Sequence, residues 1–289
     1  MIPAQASRTA LRVALHRAAH QLLDKPVVFV DPLAVRILGS KAEGAFRADP
    51  AQYDTTRFAP QMRAFMAVRA RLAEEQIAQA RTAGVRQVVI LGAGLDTLAY
   101  RSAAEPPVTI WEVDHPATQA WKRDLLAAAG IDAPAHLKLV AADLTCEPLE
   151  GVLAAAGFDA HSGAVFSWLG VTQYLNVDAV FATLRYVAGV TAAAGGIAFD
   201  YSIAPELLSL PERLAYDALA ARVSAVGEPW LSHFVPAELV AALTDTGFAV
   251  ARDLDPQELL ERYVGADMNR LRLGRLARLM WAGAAPYVA

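Results

Sequence analysis

Cysteine, charged residues and long apolar runs are all scarce in this sequence. Its 289 residues include a single cysteine, Cys146, which excludes an internal disulfide framework and is typical of proteins in a reducing compartment. Charged residues make up 19% of the chain and the formal net charge is -4, so the basic footprint of a nucleic-acid-binding protein is missing. No apolar run approaches the length that spans a bilayer. We therefore expect a cytoplasmic protein whose partners include neither nucleic acid nor membrane.

Apolar residues, by contrast, are abundant: they make up 55% of the chain, enough for a large core in one or two domains. Arg8, Arg12 and Arg17 precede the first acidic residue, Asp24, an arrangement also found in organelle transit peptides. The apolar residues of the same segment recur at helical spacing, which favours an amphipathic helix of the folded protein. These residues are Leu11, Leu15, Ala18, Ala19 and Leu22.

Two patterns divide the chain near Gly84. Residues 1–86 are predicted to form a helical cap, whose longest helix covers residues 61–82. From residue 87 onward strands and helices alternate, which is typical of a parallel sheet with helices on both faces. We therefore predict an α/β fold with a cap and a Rossmann-like domain over residues 87–289. A helical and loop-like insertion near residues 205–235 is expected to roof a pocket.

The elements of the second part follow from the same periodicity. The predicted strands cover residues 87–91, 108–113, 136–141, 164–168 and 196–201, with a late strand beginning at 247 and a final edge strand at 279–281. The predicted helices cover residues 96–101, 116–130, 147–156, 177–193 and 236–246.

A glycine turn after the first predicted strand is the most informative motif. Four apolar residues run into a Gly-x-Gly turn at Gly92 and Gly94, and a second strand ends in Asp114 about 20 residues further on. This pattern predicts a tight turn whose backbone touches a ligand, and a carboxylate that accepts both hydroxyls of a ribose. The third glycine of the dinucleotide fingerprint is replaced by Thr97, which argues against NAD. The motif favours a nucleoside ligand without a pyrophosphate, and S-adenosylmethionine is the obvious candidate.

Further carboxylates lie near the same sheet edge. Asp114 either binds the ribose or caps the helix that begins at Pro116. Glu112 shares its strand face, so we expect it to lie deeper or to be salt-bridged. Asp143 either accepts the exocyclic amine of an adenine or is a solvated turn residue, and Leu144 is expected to cover the base and donate its backbone N–H.

The motifs over residues 87–101 and 112–116 resemble those of the leucine carboxyl methyltransferase family. They are more similar still to its bacterial branch of S-adenosylmethionine-dependent O-methyltransferases, which residues 7–10, 31–32 and 227–230 also resemble. The similarity therefore extends over nearly the whole chain. It implies a class I methyltransferase fold, with a seven-stranded sheet containing one antiparallel strand and an N-terminal helical cap.

The resemblance also implies roles for single residues. Arg69 matches the arginine that holds the methionine carboxylate, although its sequence context alone favours a surface charge. Gly92 is implied to line the cofactor, Asp114 to take the ribose, and Asp143 with Leu144 to take the adenine.

One position departs from the family pattern. Leu169 stands where leucine carboxyl methyltransferases carry a glutamate. The polar anchor for the cationic end of the cofactor must then come from elsewhere, for example from backbone carbonyls of this turn.

The catalytic candidates depend on the methyl acceptor. A carboxylate with a pKa near 4 needs only positioning, whereas a phenol with a pKa of about 10 benefits from a base. His233 is the candidate base or a surface or packed histidine, and Tyr174 and Tyr201 either orient the acceptor or are core aromatics. Glu228 is expected to accept hydrogen bonds from a cap helix instead of touching substrate. Our hypothesis from the sequence is a carboxylate acceptor and no essential base.

The sequence therefore predicts an S-adenosylmethionine-dependent O-methyltransferase that acts on a carboxylate or hydroxyl of a small molecule, with secondary metabolism as one setting. No metal site is predicted, because Cys146 has no partner cysteine and the histidines lack the spacing of metal ligands. Two alternatives are a nicotinamide-dependent oxidoreductase and a non-catalytic cofactor-binding protein, and Leu169 keeps the second one open.

Overall fold

The computed structural model describes residues 8–54, 56, 58–102, 107–225, 227–265 and 271–285, so Ser7 of the first family motif lies outside the described residues. The α-helices are α1 (Arg8–Leu23), α2 (Ser40–Ala48), α3 (Ala59–Thr82), α4 (Leu98–Arg101), α5 (Pro116–Ala128), α6 (Leu149–Ala155), α7 (Val177–Thr191), α8 (Leu210–Ala225), α9 (Pro236–Thr246) and α10 (Pro256–Val264). The strands are β1 (Gln87–Leu91), β2 (Thr109–Asp114), β3 (Leu137–Ala141), β4 (Ala164–Trp168), β5 (Gly195–Ser202), β6 (Val250–Leu254) and β7 (Ala277–Gly283).

The seven strands form one sheet in the order β3-β2-β1-β4-β5-β7-β6. The first five strands are parallel, whereas β7 runs antiparallel to both of its neighbours, β5 and β6. The α/β fold with a seven-stranded sheet is thereby confirmed. One expectation was wrong: the final strand, predicted at an edge, lies between β5 and β6, and the edges are β3 and β6.

Helices cover both faces of the sheet because its central strands are apolar on both sides. All five residues of β1 are buried, as expected for a strand inside a parallel sheet. Val89 and Leu91 belong to the core on one face, and Val88 and Ile90 belong to the core on the other. The helices α6, α7 and α9 pack on the first face, while α3 packs on the second.

The N-terminal helices position the wall of the site. The change from helices to sheet lies between the end of α3 and the start of β1. Because α3 contacts β4 and β5 directly, and α1 packs on α3, the segment assigned to the cap also forms a layer of the sheet. A division into two domains at residues 86 and 87 remains a prediction.

Local signals explain where several elements begin and end. Asn176 caps α7 by accepting the Ala179 N–H at 2.8 Å, and α9 ends at Gly247 in the left-handed conformation. The insertion predicted near residues 205–235 contains α8, and the helix α10 was missed by the sequence analysis. None of the helices in the described ranges combines the length and apolar composition needed to cross a membrane.

Candidate functional site

The loops that follow β1, β2, β3 and β4 open onto one cavity of about 300 Å³. The strand order reverses beside β1, which pairs with β2 on one side and β4 on the other. Ligands of open parallel sheets bind at this point, beyond the carboxyl ends of the strands. The structure brings all six residues that the sequence proposes for the cofactor to this cavity. They are Arg69, Gly92, Gly94, Asp114, Asp143 and Leu144.

The glycine turn after β1 is enclosed on two sides. Gly92 and Gly94 have φ angles of 64° and 48°, a region that glycine adopts without strain. A Cβ at Gly92 would lie 2.3 Å from Val171 Cγ2, and one at Gly94 would lie 3.1 Å from Ala10 Cβ. The turn therefore depends on glycine for both its conformation and its space.

Asp114 is a buried carboxylate that holds this turn. It is 9% exposed, and its two oxygens accept the backbone N–H groups of Gly94 and His115. Burial raises the pKa of Asp114, and these N–H groups oppose the effect. His115, whose Nδ1 accepts the Ala117 N–H at 3.2 Å, is the cap of α5. The interpretation of Asp114 as the helix cap was therefore wrong.

Glu112 lies deeper on the same strand, as expected. It is 1% exposed, and Lys122 Nζ donates to its Oε2 at 2.6 Å. Burial raises the pKa of Glu112 to about 7, and the charge of Lys122 opposes this change. The ion pair fixes the end of β2 directly behind Asp114.

Asp143 is a turn residue that also borders the cavity. It accepts the Thr145 N–H at 2.9 Å and the Thr145 hydroxyl at 2.6 Å, and hydrogen bonding to this hydroxyl is the main cause of its lowered pKa. The turn interpretation is confirmed, and a contact with adenine is an assignment we propose below.

Arg69 is buried and paired. It is 4% exposed, and its Nη1 lies 2.5 Å from Asp200 Oδ2, so the interpretation as a surface charge was wrong. The other oxygen of Asp200 accepts the Gly170 N–H. Asp200 therefore ties α3 to the turn after β4. Sequence analysis missed this residue, although a carboxylate near the end of an otherwise apolar strand was a usable signal.

Of the three catalytic candidates, one lines the cavity and two lie outside its lining. Tyr174 lines the cavity. Tyr201 is 1% exposed and its hydroxyl donates to Asp253 Oδ1 at 2.5 Å, away from the cavity lining. His233 is exposed and also lies outside the lining. Glu228 accepts a hydrogen bond from the Thr9 hydroxyl of α1, as expected, and it lines the cavity as well.

Acidic side chains outnumber arginines along the described lining. The carboxylates are Asp96, Asp114, Asp143 and Glu228, and the arginines are Arg17 and Arg69. Both arginines are already paired, since Arg17 Nε lies 3.2 Å from Asp31 Oδ2 and Arg69 contacts Asp200. Such a cavity favours a ligand with positive charge. In the part of the chain that the structure describes, no three His, Cys, Asp or Glu side chains converge as metal ligands would.

A comparison with protein families decides the class of this chain. The family described as leucine carboxyl methyltransferase matches residues 10–188, well over half of the sequence. The chain belongs to the leucine carboxyl methyltransferase family. The matched range begins inside α1 and ends inside α7, and it includes all six of the residues proposed for the cofactor.

Relatives and solved structures agree with this assignment. YktD of Bacillus subtilis is 28% identical over 275 residues, which cover 88% of this chain and 90% of that protein. A protein of Mycobacterium avium is 32% identical over 216 residues, which cover 74% and 67%. Both are named for S-adenosyl-L-methionine-dependent methyl transfer.

Two solved structures support the fold alone. A protein from Thermobifida fusca that is named as a methyltransferase has a TM-score of 0.59 at 19% identity, covering 97% of this chain and 95% of that one. A DUF574 family protein from Streptomyces avermitilis has a TM-score of 0.56 at 15% identity, covering 97% and 98%.

The family assignment confirms the resemblance, the enzyme class and the cofactor inferred from the sequence. The protein is an S-adenosylmethionine-dependent methyltransferase with a Rossmann-like sheet. The two alternatives, a nicotinamide-dependent oxidoreductase and a non-catalytic binding protein, are set aside.

Proposed function

We propose that this methyltransferase transfers the methyl group of S-adenosylmethionine to an oxygen atom of a small molecule. The observation that carries the proposal is the cavity in which the loops after β1–β4 meet α1. The wall contributed by α1 and α3 is largely apolar and includes Val13 and Met66. A volume of about 300 Å³ is at the lower end of the range of small-molecule sites.

The residues present fit the cofactor. S-adenosylmethionine carries a positive sulfonium, and the lining has more carboxylates than arginines. Gly92 and Gly94 line the cavity without side chains, so a ligand there can approach the backbone of their turn. When bound, the cofactor supplies an electrophilic methyl group.

We assign the remaining roles by chemistry and by position in the cavity. Asp114 has both oxygens directed by backbone N–H groups, which suits a carboxylate that accepts the ribose hydroxyls. Asp143 and Leu144 follow the neighbouring strand and are assigned to the adenine. Arg69 is assigned to the methionine carboxylate, with Asp200 holding its guanidinium in place.

Leu169 also lines the cavity, next to Gly170. It supplies no charge for the amino group of the cofactor, where leucine carboxyl methyltransferases carry a glutamate. In our proposal backbone carbonyls of the turn after β4 take this role.

Calorimetry with S-adenosylhomocysteine tests these assignments. Asp114→Asn is expected to weaken binding by about 10- to 100-fold, because hydrogen bonds to a charged group contribute about 1.5–3 kcal/mol. Asp178→Asn, at an exposed position in the first turn of α7, is the matched control and is expected to bind as the unaltered protein does. Equal affinities for both variants would contradict the assignment.

The acceptor atom is tested with S-adenosylmethionine carrying a tritiated methyl group. Pools of phenols, alcohols and carboxylic acids are incubated with the protein, and the labelled products are identified by mass spectrometry. We expect labelled ethers or esters. Label found exclusively on nitrogen, sulfur or carbon would overturn the proposal of O-methylation.

A further inference from the structure

A carboxylate lies in the part of the cavity formed by α1 and the segment after α8. Glu228 is 7% exposed and lines the cavity together with Pro229 and Leu231 of its own segment. Thr9 of α1 donates its hydroxyl to Glu228 Oε2. Glu228 lies 40 residues beyond the family match, which ends at residue 188, and the resemblance of residues 227–230 to the bacterial branch gives it no chemical role.

Tyr174 adds a hydroxyl to the same region of the lining. Burial raises the pKa of Tyr174, and the negative charge of Glu228 raises it further, while hydrogen bonding to Thr9 acts in the opposite direction. The phenol therefore stays protonated near neutral pH and serves as a neutral hydrogen-bonding group. Two hydroxyls and one carboxylate thus meet where the segment of residues 227–231 closes over the cavity.

This segment is tied to the turn after β4. The Leu231 N–H donates to the Gln173 carbonyl at 2.6 Å, and the Ser232 hydroxyl donates to the Thr172 carbonyl at 2.9 Å. Glu228 is thereby fixed relative to Tyr174, and both are fixed relative to the end of β4. A group held in this way can meet a substrate in one defined orientation.

The charges of the lining distinguish between the two kinds of acceptor oxygen. An acceptor carboxylate at this end would face Glu228, which is 7% exposed, and like charges repel more strongly beside a buried group than in bulk water. Of the two lining arginines in the described part, Arg17 is paired with Asp31, and Arg69 is assigned above to the carboxylate of the cofactor, so neither is left for an acceptor carboxylate. A neutral hydroxyl, by contrast, can donate its hydrogen bond to Glu228.

We propose, building on the O-methyl transfer proposed above, that the acceptor is a neutral hydroxyl compound and that Glu228 binds its O–H group and accepts its proton. This proposal replaces the hypothesis, drawn from the sequence, of a carboxylate acceptor without a base. It makes Glu228 a catalytic residue and Tyr174 and Thr9 its positioning residues.

The proton and electron balance of the step is simple. A lone pair of the acceptor oxygen forms the bond to the methyl carbon, and the electron pair of the carbon–sulfur bond stays on the sulfur of S-adenosylhomocysteine. The acceptor oxygen becomes strongly acidic as this bond forms, so a carboxylate is basic enough to take its proton. Glu228 then releases that proton to water.

Binding of matched probes tests the charge argument without any turnover. The probes are pairs that differ in the head group, namely 2-naphthol with 2-naphthoic acid and 1-octanol with octanoic acid. Their affinities are measured by calorimetry in the presence of saturating S-adenosylhomocysteine, for the unaltered protein, for Glu228→Gln and for Glu238→Gln. Glu238 is exposed on α9 and is the matched control.

We expect the unaltered protein and Glu238→Gln to bind at least one hydroxyl probe about 10-fold or more tightly than its carboxylate partner. Glu228→Gln is expected to reduce this ratio to about 2-fold, because the carboxylate probe gains affinity. Equal or tighter binding of the carboxylates by the unaltered protein would overturn the proposal. So would a ratio that Glu228→Gln leaves unchanged, or a failure of every hydroxyl probe to bind.

Kinetics with tritiated cofactor test the role as a base. Glu228→Gln is expected to lower kcat for a phenol by about 100-fold while the Kd of S-adenosylhomocysteine stays within about 2-fold. Glu228→Asp keeps the charge and is expected to keep the preference for hydroxyl probes, so the proposal is also tested if Glu228→Gln does not fold. An unchanged kcat in Glu228→Gln would exclude the base. Failure of the proposed function would give a different result. S-adenosylhomocysteine would bind, but neither hydroxyl compounds nor carboxylic acids would carry a labelled methyl group on oxygen.

Discussion

Arg69 and Asp200 are 131 residues apart in the chain, yet Arg69 Nη1 lies 2.5 Å from Asp200 Oδ2 in the buried interior. Each residue is less than 5% exposed. Because Asp200 also accepts the Gly170 N–H, one carboxylate joins α3, the end of β5 and the turn after β4. The side chain proposed to hold the methionine carboxylate is thus positioned by a strand on the far side of β4.

Removal of one charge of this pair should destabilise the fold strongly. Asp200→Asn leaves a buried guanidinium without its carboxylate, so we expect the free energy of unfolding to fall by about 3 kcal/mol. The double variant Arg69→Met/Asp200→Asn should lose less than the sum of the two single variants, because it leaves no unpaired charge. Urea unfolding of the four proteins measures the coupling.

The exposed pair of Arg213 and Asp217 on α8 is the matched control. Asp217→Asn is expected to change the free energy of unfolding by less than about 1 kcal/mol. If Asp200→Asn and Asp217→Asn have similar effects, the buried pair does not have the structural role assigned to it.

Gly92 should not tolerate a side chain. Gly92→Ala places a Cβ 2.3 Å from Val171 Cγ2 and imposes a φ angle of 64° on an L-residue, so we expect a loss of stability of about 2–3 kcal/mol. Adding Val171→Ala relieves the overlap and should restore part of the loss, while the backbone strain stays. Thermal unfolding with and without S-adenosylhomocysteine reports both the fold and the site.

Gly44 provides the contrasting substitution. It lies inside α2, and a Cβ there would meet no atom within 4 Å. Gly44→Ala is expected to stabilise the protein by up to about 1 kcal/mol through helix propensity. If Gly92→Ala leaves the stability unchanged, the turn can rearrange to accept a side chain.

His16 should make the stability depend on pH. Burial and the nearby guanidinium of Arg12 lower the pKa of His16 from 6.5 to about 4. Between these two values the unfolded chain binds a proton that the folded protein does not, so the stability is complete above about pH 6.5 and falls as the pH decreases. At pH 4.5 the loss attributable to His16 should be about 2.5 kcal/mol.

The substitution His16→Gln removes this titration. Its free energy of unfolding should change less between pH 7 and pH 4.5 than that of the unaltered protein, measured by urea unfolding at both values. His161→Gln, at an exposed position, is the control and should retain the full dependence. If the free energy of unfolding falls equally in His16→Gln and in the unaltered protein between pH 7 and pH 4.5, His16 is not the cause of the pH dependence.

His233 should be dispensable for turnover. It is exposed and does not line the cavity, so His233→Ala is expected to keep kcat within about 2-fold once an acceptor is in hand. A loss beyond about 100-fold, measured by release of S-adenosylhomocysteine, would restore His233 as the general base.

Local patterns predicted the parts of the sheet that are defined by consecutive residues. The strands β1 and β4 have the bounds predicted from their mainly apolar residues, because both lie inside the sheet and are buried along their whole length. The glycine turn and the carboxylate at the end of β2 follow from the same local chemistry, and the structure brings both to one cavity.

Contacts between distant segments could not be predicted in this way. The position of β7 inside the sheet depends on pairing with β5 and β6, about which its own residues carry no signal. Asp200 and Glu228 acquire their partners from α3 and α1, far away in the sequence. Side-chain periodicity indicates which face a residue occupies, but not which residue it meets there.

The place of β7 between β5 and β6 has a consequence for the order of assembly. The edge strand β6 has β7 as its neighbour, yet β7 follows it in the chain by more than 20 residues. During synthesis β6 therefore leaves the ribosome before β7, the strand with which it pairs in the folded protein. The parallel strands β1–β5 can associate earlier, whereas residues 250–254 must wait for residues 277–283.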